Sequence, residues 1–293
     1  MSFEDLPPLP PLIHEAANGY AKRISEISKR VMREERCVLD VAYGADYWQK
    51  LDIYLPREEG LNALPVLLFL HGGAWRNGCK EWMGFMAPAF ITLPAIFVSV
   101  SYRLAPATRY PGPAEDCADA LAWVYHNIWR YGGDRVRLFY GGHSAGGHLS
   151  SLVALDSGLR RARSLPEDVV KACFPQSGIY DLRPRVEGEI ARDLVGGFLA
   201  SDEQIERASP LLHVRGNRTP FYMAHGSRDL PELIPQARRM SRALADQPAE
   251  AAMQEFPDYD HFAMSERCDR EDHPWVRTVR EWMKRDYGRT DAK

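Results

Sequence analysis

The sequence predicts an α/β protein with a mostly parallel central sheet of about eight strands, helices on both faces and a partial cap. Three observations carry that expectation. Residues 66–70 and 95–100 are nearly continuous apolar runs, as strands buried on both faces require. From residue 66 to the end, strand-like and helix-like segments alternate, which is the order of parallel strands joined by crossing helices. The third is residues 136–147. An apolar run there passes through Gly142-His143-Ser144-Ala145-Gly146 into a helix-compatible segment, 149–155, and sets a serine on a sharp strand-to-helix turn.

The remaining elements follow in order. Residues 6–12 are rich in proline and read as an extended arm. Residues 13–36 carry Ile24, Ile27 and Val31 on one helical face. Residues 37–43 and 49–55 read as two strands around a turn at 44–46, the second with the period-two alternation of an edge hairpin. Helices are expected over 82–93 and 114–129, a strand at 136–140 and another at 169–174. Residues 179–214 look irregular, with short helical pieces. A strand at 221–224, a helix at 233–244, a strand at 251–256 and a helix at 275–287 complete the chain. No linker, repeat or low-complexity tract divides it. One domain over 1–293 is expected, with 1–36 as a covering arm and 179–214 as a cap-like insertion.

Composition narrows the function. The 293 residues are 45% apolar and 26% charged with a net charge of −3, which gives no reason to expect nucleic acid or an anionic membrane as partner. No run approaches the ~18 apolar residues of a membrane span. Residues 1–11 are acidic and proline-rich, unlike a secretory signal. Five scattered cysteines without a Cys-x-x-Cys pair fit reduced thiols in a cytoplasmic protein. The expected partner is a small-molecule substrate, with no cofactor and no metal; a homodimer is left open.

The chemistry centres on Ser144. Its hydroxyl stands clear of the sheet on the turn, and the Ala145 N–H faces whatever it attacks. Serine needs a base and an orienting acid to act as a nucleophile. His261 follows the last strand, at the carboxyl ends where such sheets carry their sites. Asp229, just past the strand before it, is the favoured acid; Asp258, three residues from the histidine, is its rival, and Glu232 a third choice. His14, His126, His213 and His273 lack such placement. His143 is expected to point away from the triad, His148 to pack between helix and sheet. His71-Gly72-Gly73-Ala74-Trp75 follows the first buried strand, and its small residues let backbone amides there face a developing oxyanion alongside that of Ala145. Trp75, Tyr102 and Tyr180, together with Trp82, Phe85 and Phe262, are expected to line an aromatic cleft carrying little fixed charge. Arg103 is expected to bond beneath the site, and neither it nor Arg228 stands out as a carboxylate clamp.

These stretches, with Ser-Tyr-Arg-Leu-Ala-Pro at 101–106 and Ser-Gly-Ile-Tyr-Asp-Leu at 177–182, resemble the α/β-hydrolase esterase/lipase group. The His-Gly-Gly-x-Trp form and the hairpin from Tyr43 to Tyr54 are similar to its kynurenine formamidase (arylformamidase) branch. The resemblance covers about residues 43–262. It implies an α/β-hydrolase fold, a triad of Ser144, Asp229 and His261 in the family's Ser…Asp…His order, and an oxyanion hole of Gly73, Ala74 and Ala145. It also implies an acyl-enzyme hydrolase of amides or esters, formamides included, and the expected aromatic cleft with Trp75 beside the hole points to a small-acyl aryl substrate. A short-chain carboxylesterase and a non-catalytic ligand-binding relative are the alternatives.

Overall fold

The computed structural model describes residues 6–12 and 15–287. Of the expectations above, Met1–Asp5, Ile13, His14 and the last six residues lie outside that range. The first helix, α1 (Glu15–Glu34), buries Ala17, Tyr20, Ile24, Ser28 and Val31 along one stripe. The hairpin follows as β1 (Cys37–Ala42) and β2 (Lys50–Tyr54), then β3 (Leu64–Leu70), buried throughout.

The helix expected over 82–93 is instead a 3₁₀ turn, Lys80–Met86, and a short helix, α2 (Pro88–Ile91). Pro88 has no N–H to continue a helix and begins a new one. Next come β4 (Ile96–Val100), α3 (Gly112–Asn127) and β5 (Gly133–His143), which is longer than the apolar run alone suggested. The turn helix is α4 (Ala145–Leu155), followed by an unanticipated short helix, α5 (Ser157–Arg161), and by β6 (Val170–Gln176). The irregular stretch holds one α-helix, α6 (Arg192–Phe198), and two 3₁₀ turns, Asp202–Gln204 and Pro210–His213. The chain closes with β7 (Phe221–Arg228), α7 (Leu233–Ala245), β8 (Ala251–Asp260), a single turn α8 (Ala263–Glu266) and α9 (Pro274–Lys284).

The eight strands form one sheet in the order β1-β2-β4-β3-β5-β6-β7-β8. β1–β2 and β2–β4 pair antiparallel, and every other pair is parallel. Each face of the sheet carries its own core. Along β5, Leu138 and Tyr140 join one, Phe139 the other. Fully burying such a side chain is worth about 1.5–3 kcal/mol, so this alternation sets which face each strand residue takes. The consequence for the site is simple. β5, β6, β7 and β8 are adjacent and parallel, so all four deliver their carboxyl ends to one edge of the molecule.

Candidate active site

Ser144 directly follows β5 with φ 56° and ψ −118°, a strained conformation for a residue with a Cβ. The neighbouring glycines make the turn feasible. A Cβ on Gly142 would overlap the backbone of Gly146, and one on Gly146 the carbonyls of Leu70 and His71. The Ser144 amide donates to the Gln176 carbonyl at the end of β6 (2.9 Å), which fixes the turn to the sheet.

Asp229 and His261 directly follow β7 and β8. His261 Nδ1 donates to Asp229 Oδ1 (2.7 Å), and Ser144 Oγ donates to His261 Nε2 (2.9 Å). The Leu230 amide also donates to Asp229 Oδ1 (2.8 Å), and the Ser177 hydroxyl donates to Oδ2. Burial alone would push the Asp229 carboxyl up. The imidazole charge and the donors from His261, Ser177 and Leu230 outweigh it and hold the group below the usual carboxylate range. Asp258 is 86% exposed, and its partners are Ser227, which accepts from its amide, and Arg228. Glu232 lines the cavity wall rather than joining the chain.

Gly73 (φ 111°) and Ala74 (φ 54°) curl beneath the serine, and both line the cavity that Ser144 and His261 reach. A Cβ on Gly73 would overlap the Asn77 carbonyl, so only glycine closes that turn. Among the described residues, none of the turn and loop bonds uses the amides of Gly73, Ala74 or Ala145. Ala145 opens α4, where first-turn amides have no acceptor within the helix. These amides are available to an anionic oxygen.

Three buried histidines brace this edge as neutral rings. Burial, joined by the nearby His261, pulls His143 down to about 3; burial takes His148 and His71 to about 4. His143 does not point away from the chain. Its Nε2 donates to the His261 carbonyl (2.8 Å), with the ring centres 4.6 Å apart. His148 donates from Nε2 to the Ala208 carbonyl (2.7 Å) and accepts from Trp75 Nε1 (3.1 Å), so it ties the segment over the sheet to the turn after β3.

The cleft differs from the aromatic one expected. Trp75 is fully buried and stacks on Phe198 of α6 with ring centres 4.3 Å apart. Tyr102 is fully buried too, stacked on His71 and donating to its carbonyl (3.0 Å). Tyr180 is turned back against Gly178 and buried. Trp82 and Phe85 belong to the core of the opposite face. Large rings gain more from full burial than from a half-wet cleft, so Trp75, Tyr102 and Tyr180 pack into the core on one face and Trp82 and Phe85 into that on the other. Only Phe262 of the six reaches the cavity. The cavity, about 210 Å³, is walled mostly by aliphatic groups such as Ile179, Ile190, Leu194, Leu230 and Leu233. Fixed charge is present after all, in Arg76, Asp193 and Glu232. Arg103 forks onto Asp116, as expected of a structural arginine. Pro11, Leu12 and Ala17 supply part of the wall, and Asn77 donates to the Pro10 carbonyl, so the proline arm lies against the site. Sequence reasoning missed Arg76, Asp193 and Ser177. Arg76 adjoins the glycine motif and Ser177 opens the Ser-Gly-Ile-Tyr-Asp-Leu motif, but nothing in the pattern said where either side chain goes.

Among the described residues no group of three or more His, Cys, Asp or Glu could hold a metal, and no helix is long and apolar enough to cross a membrane.

A serine–histidine–aspartate chain at the carboxyl ends of a mostly parallel sheet, with unoccupied amides beside the serine, defines an α/β-hydrolase. Within that class the chain belongs to the BD-FAE family, which matches residues 51–244. Esterase LipC of Mycobacterium tuberculosis (strain ATCC 25618 / H37Rv) is 34% identical over 68% of this chain and 52% of its own length. The chain thus spans about half the length of that relative. Kynurenine formamidase of Salmo salar is 26% identical over 86% of this chain and 84% of its own. Among solved structures, the carboxylesterase EstE1, cloned from a metagenomic library, superposes with a TM-score of 0.72 at 22% identity, covering 92% of this chain and 98% of that one. That last likeness speaks to the fold.

Proposed function

We propose that the protein is a serine hydrolase of carboxylic esters or amides with a small acyl group, working through an acyl-enzyme. The unbroken chain Ser144–His261–Asp229, opening on a cavity of about 210 Å³, carries this reading. Ser144 Oγ attacks the carbonyl carbon while His261 Nε2 takes its proton, and Asp229 holds the imidazolium through Nδ1–H. The oxyanion sits against the amides of Ala145, Gly73 and Ala74. The tetrahedral centre collapses as His261 returns the proton to the departing alcohol or amine. A water then adds to the acyl-enzyme by the same route and releases the acid and free Ser144.

Two substrate classes fit: arylformamides, and short-chain esters. A formamidase relative aligned along most of both chains supports the first. The aliphatic wall and the esterase relatives support the second. The small cavity supports a small acyl group in either case. A fluorophosphonate probe is expected to label the wild type and not Ser144→Ala, and kcat is expected to drop by roughly 10⁴ in that folded variant. Labelling that survives in Ser144→Ala refutes the assignment. Formanilide compared with phenyl esters of rising acyl length separates the two classes; a maximum at eight or more carbons would exclude both.

A further inference from the structure

Four consecutive strands of the sheet, β5, β6, β7 and β8, each end immediately before a polar residue of one cluster: Ser144, Ser177, Asp229 and His261. Three of them form the chain described above. Ser177, at the end of β6, stands between the strand that bears the nucleophile and the strand that bears the acid. We propose that Ser177 is a positioning residue for the hydrolytic reaction, holding the Asp229 carboxylate turned so that Oδ1 faces His261. The inference rests on the hydrolase reading above.

The geometry is specific. Asp229 Oδ1 has two donors, His261 Nδ1 and the Leu230 amide, whereas Ser177 Oγ is the donor to Oδ2. The Asp229 side chain is fully shielded from solvent and Ser177 is 1% exposed, so water is no ready substitute. Ser177 also holds a backbone conformation that its side chain makes costly, φ 48°. Its amide donates to the Ala224 carbonyl (2.8 Å), and the preceding carbonyl, Gln176, accepts from the Ser144 amide. The bend therefore carries Oγ sideways from β6 to the acid beyond β7. A glycine would adopt that bend freely, yet a hydroxyl-bearing residue occupies it.

That last point supplies the test. Ser177→Gly removes the hydroxyl and relieves the backbone, so a purely structural serine predicts retained stability and retained activity. A positioning serine predicts retained stability and lost activity. The measurement is the saturation kinetics of fluorophosphonate labelling of Ser144, which needs no natural substrate, together with the melting temperature. Expected for Ser177→Gly is a melting temperature within about 5 °C of wild type. The maximal labelling rate is expected to fall roughly 10–100-fold, the range typical when an outer hydrogen-bond partner that orients a metal ligand is removed. The half-saturating probe concentration is expected to stay within about twofold. Ser177→Ala is expected to give the same kinetic loss with a lower melting temperature. A glycine variant that labels like the wild type overturns the inference and leaves the hydrolase reading intact. Gross unfolding of both variants would also overturn it, since the hydroxyl would then be a prop for the fold. A wild type that is not labelled at all overturns both readings.

Discussion

Two buried carboxylates sit at different edges of this molecule and have opposite characters. Asp229 and Asp52 both have side chains wholly shielded from water. Asp229 is held below the usual range, whereas Asp52 is pushed up to about 6. Burial is equal, so burial does not decide the outcome. Asp229 receives donors on both oxygens and faces an imidazole that can take positive charge. On Asp52, the Lys80 ammonium (2.8 Å) and the Asp40 amide both converge on Oδ1, while Oδ2 has no partner among the described residues. A second carboxylate, Glu81, shares the same lysine at 2.7 Å and raises Asp52 further. The Lys80 cluster is closed and joins β1, β2 and the 3₁₀ turn. The Asp229 chain is open at one end, where Ser144 meets the cavity. A buried charge can thus serve as a fastening or as a reactive device, and the number and placement of its donors separate the two.

The sharpest way to break this contrast is Asp229→Asn. The amide cannot hold the imidazole in the required tautomer, so kcat is expected to fall by about 10⁴ while the variant still folds. A drop in stability with kcat preserved would make Asp229 the fastening. The converse substitution is Lys80→Met, which strands Asp52 and Glu81 without their cation. It is expected to cost about 3–5 kcal/mol by urea unfolding, with kcat per folded molecule unchanged.

A pH series sharpens the contrast further. The folded form of Asp52 binds its proton near pH 6, above the ordinary value of 3.8, so its stabilising contribution is complete below 3.8 and is lost as pH rises through 6. Wild type is therefore expected to gain on Asp52→Asn, on the order of 2 kcal/mol, as pH falls from 7 to 4. Asp229 has the opposite sign. Its carboxyl is depressed, so its contribution is present above 3.8 and fades in stronger acid, and wild type should lose ground to Asp229→Asn below pH 4. Matching trends in the two variants would contradict the distinction. The smallest effect belongs to Asp258→Asn. Its side chain is exposed and pairs with Arg228, while His261 bonds Asp229 instead, so stability within about 0.5 kcal/mol and near-wild-type turnover are expected.

Much of the site is legible in the amino-acid sequence. Ser144, Asp229 and His261 each follow a stretch that reads as a strand, at 136–140, 221–224 and 251–256, although the strands themselves run on to His143, Arg228 and Asp260. Gly142 and Gly146 announce the turn because nothing larger fits against Leu70 and the helix. The aromatic residues mislead for a definite reason. Trp75, Tyr102 and Tyr180 sit beside the right loops, but which way a ring turns there depends on what waits beneath it. Phe198, from a distant segment, waits beneath Trp75.

What the chain determined by itself is therefore local and periodic: the two-sided burial of the parallel strands, the glycine-permitted turns and the order of serine, acid and histidine. Those follow from side-chain volume and alternation, which act over a few residues at a time. Only the tertiary structure decided the wall of the cavity, the neutral histidines behind it and the hydroxyl of Ser177 on the acid. Each of these joins segments far apart in the chain, from the proline arm and α6 at the wall to β6 and β7 at Ser177, so their contacts exist only once the sheet order and the segments packed on it are set.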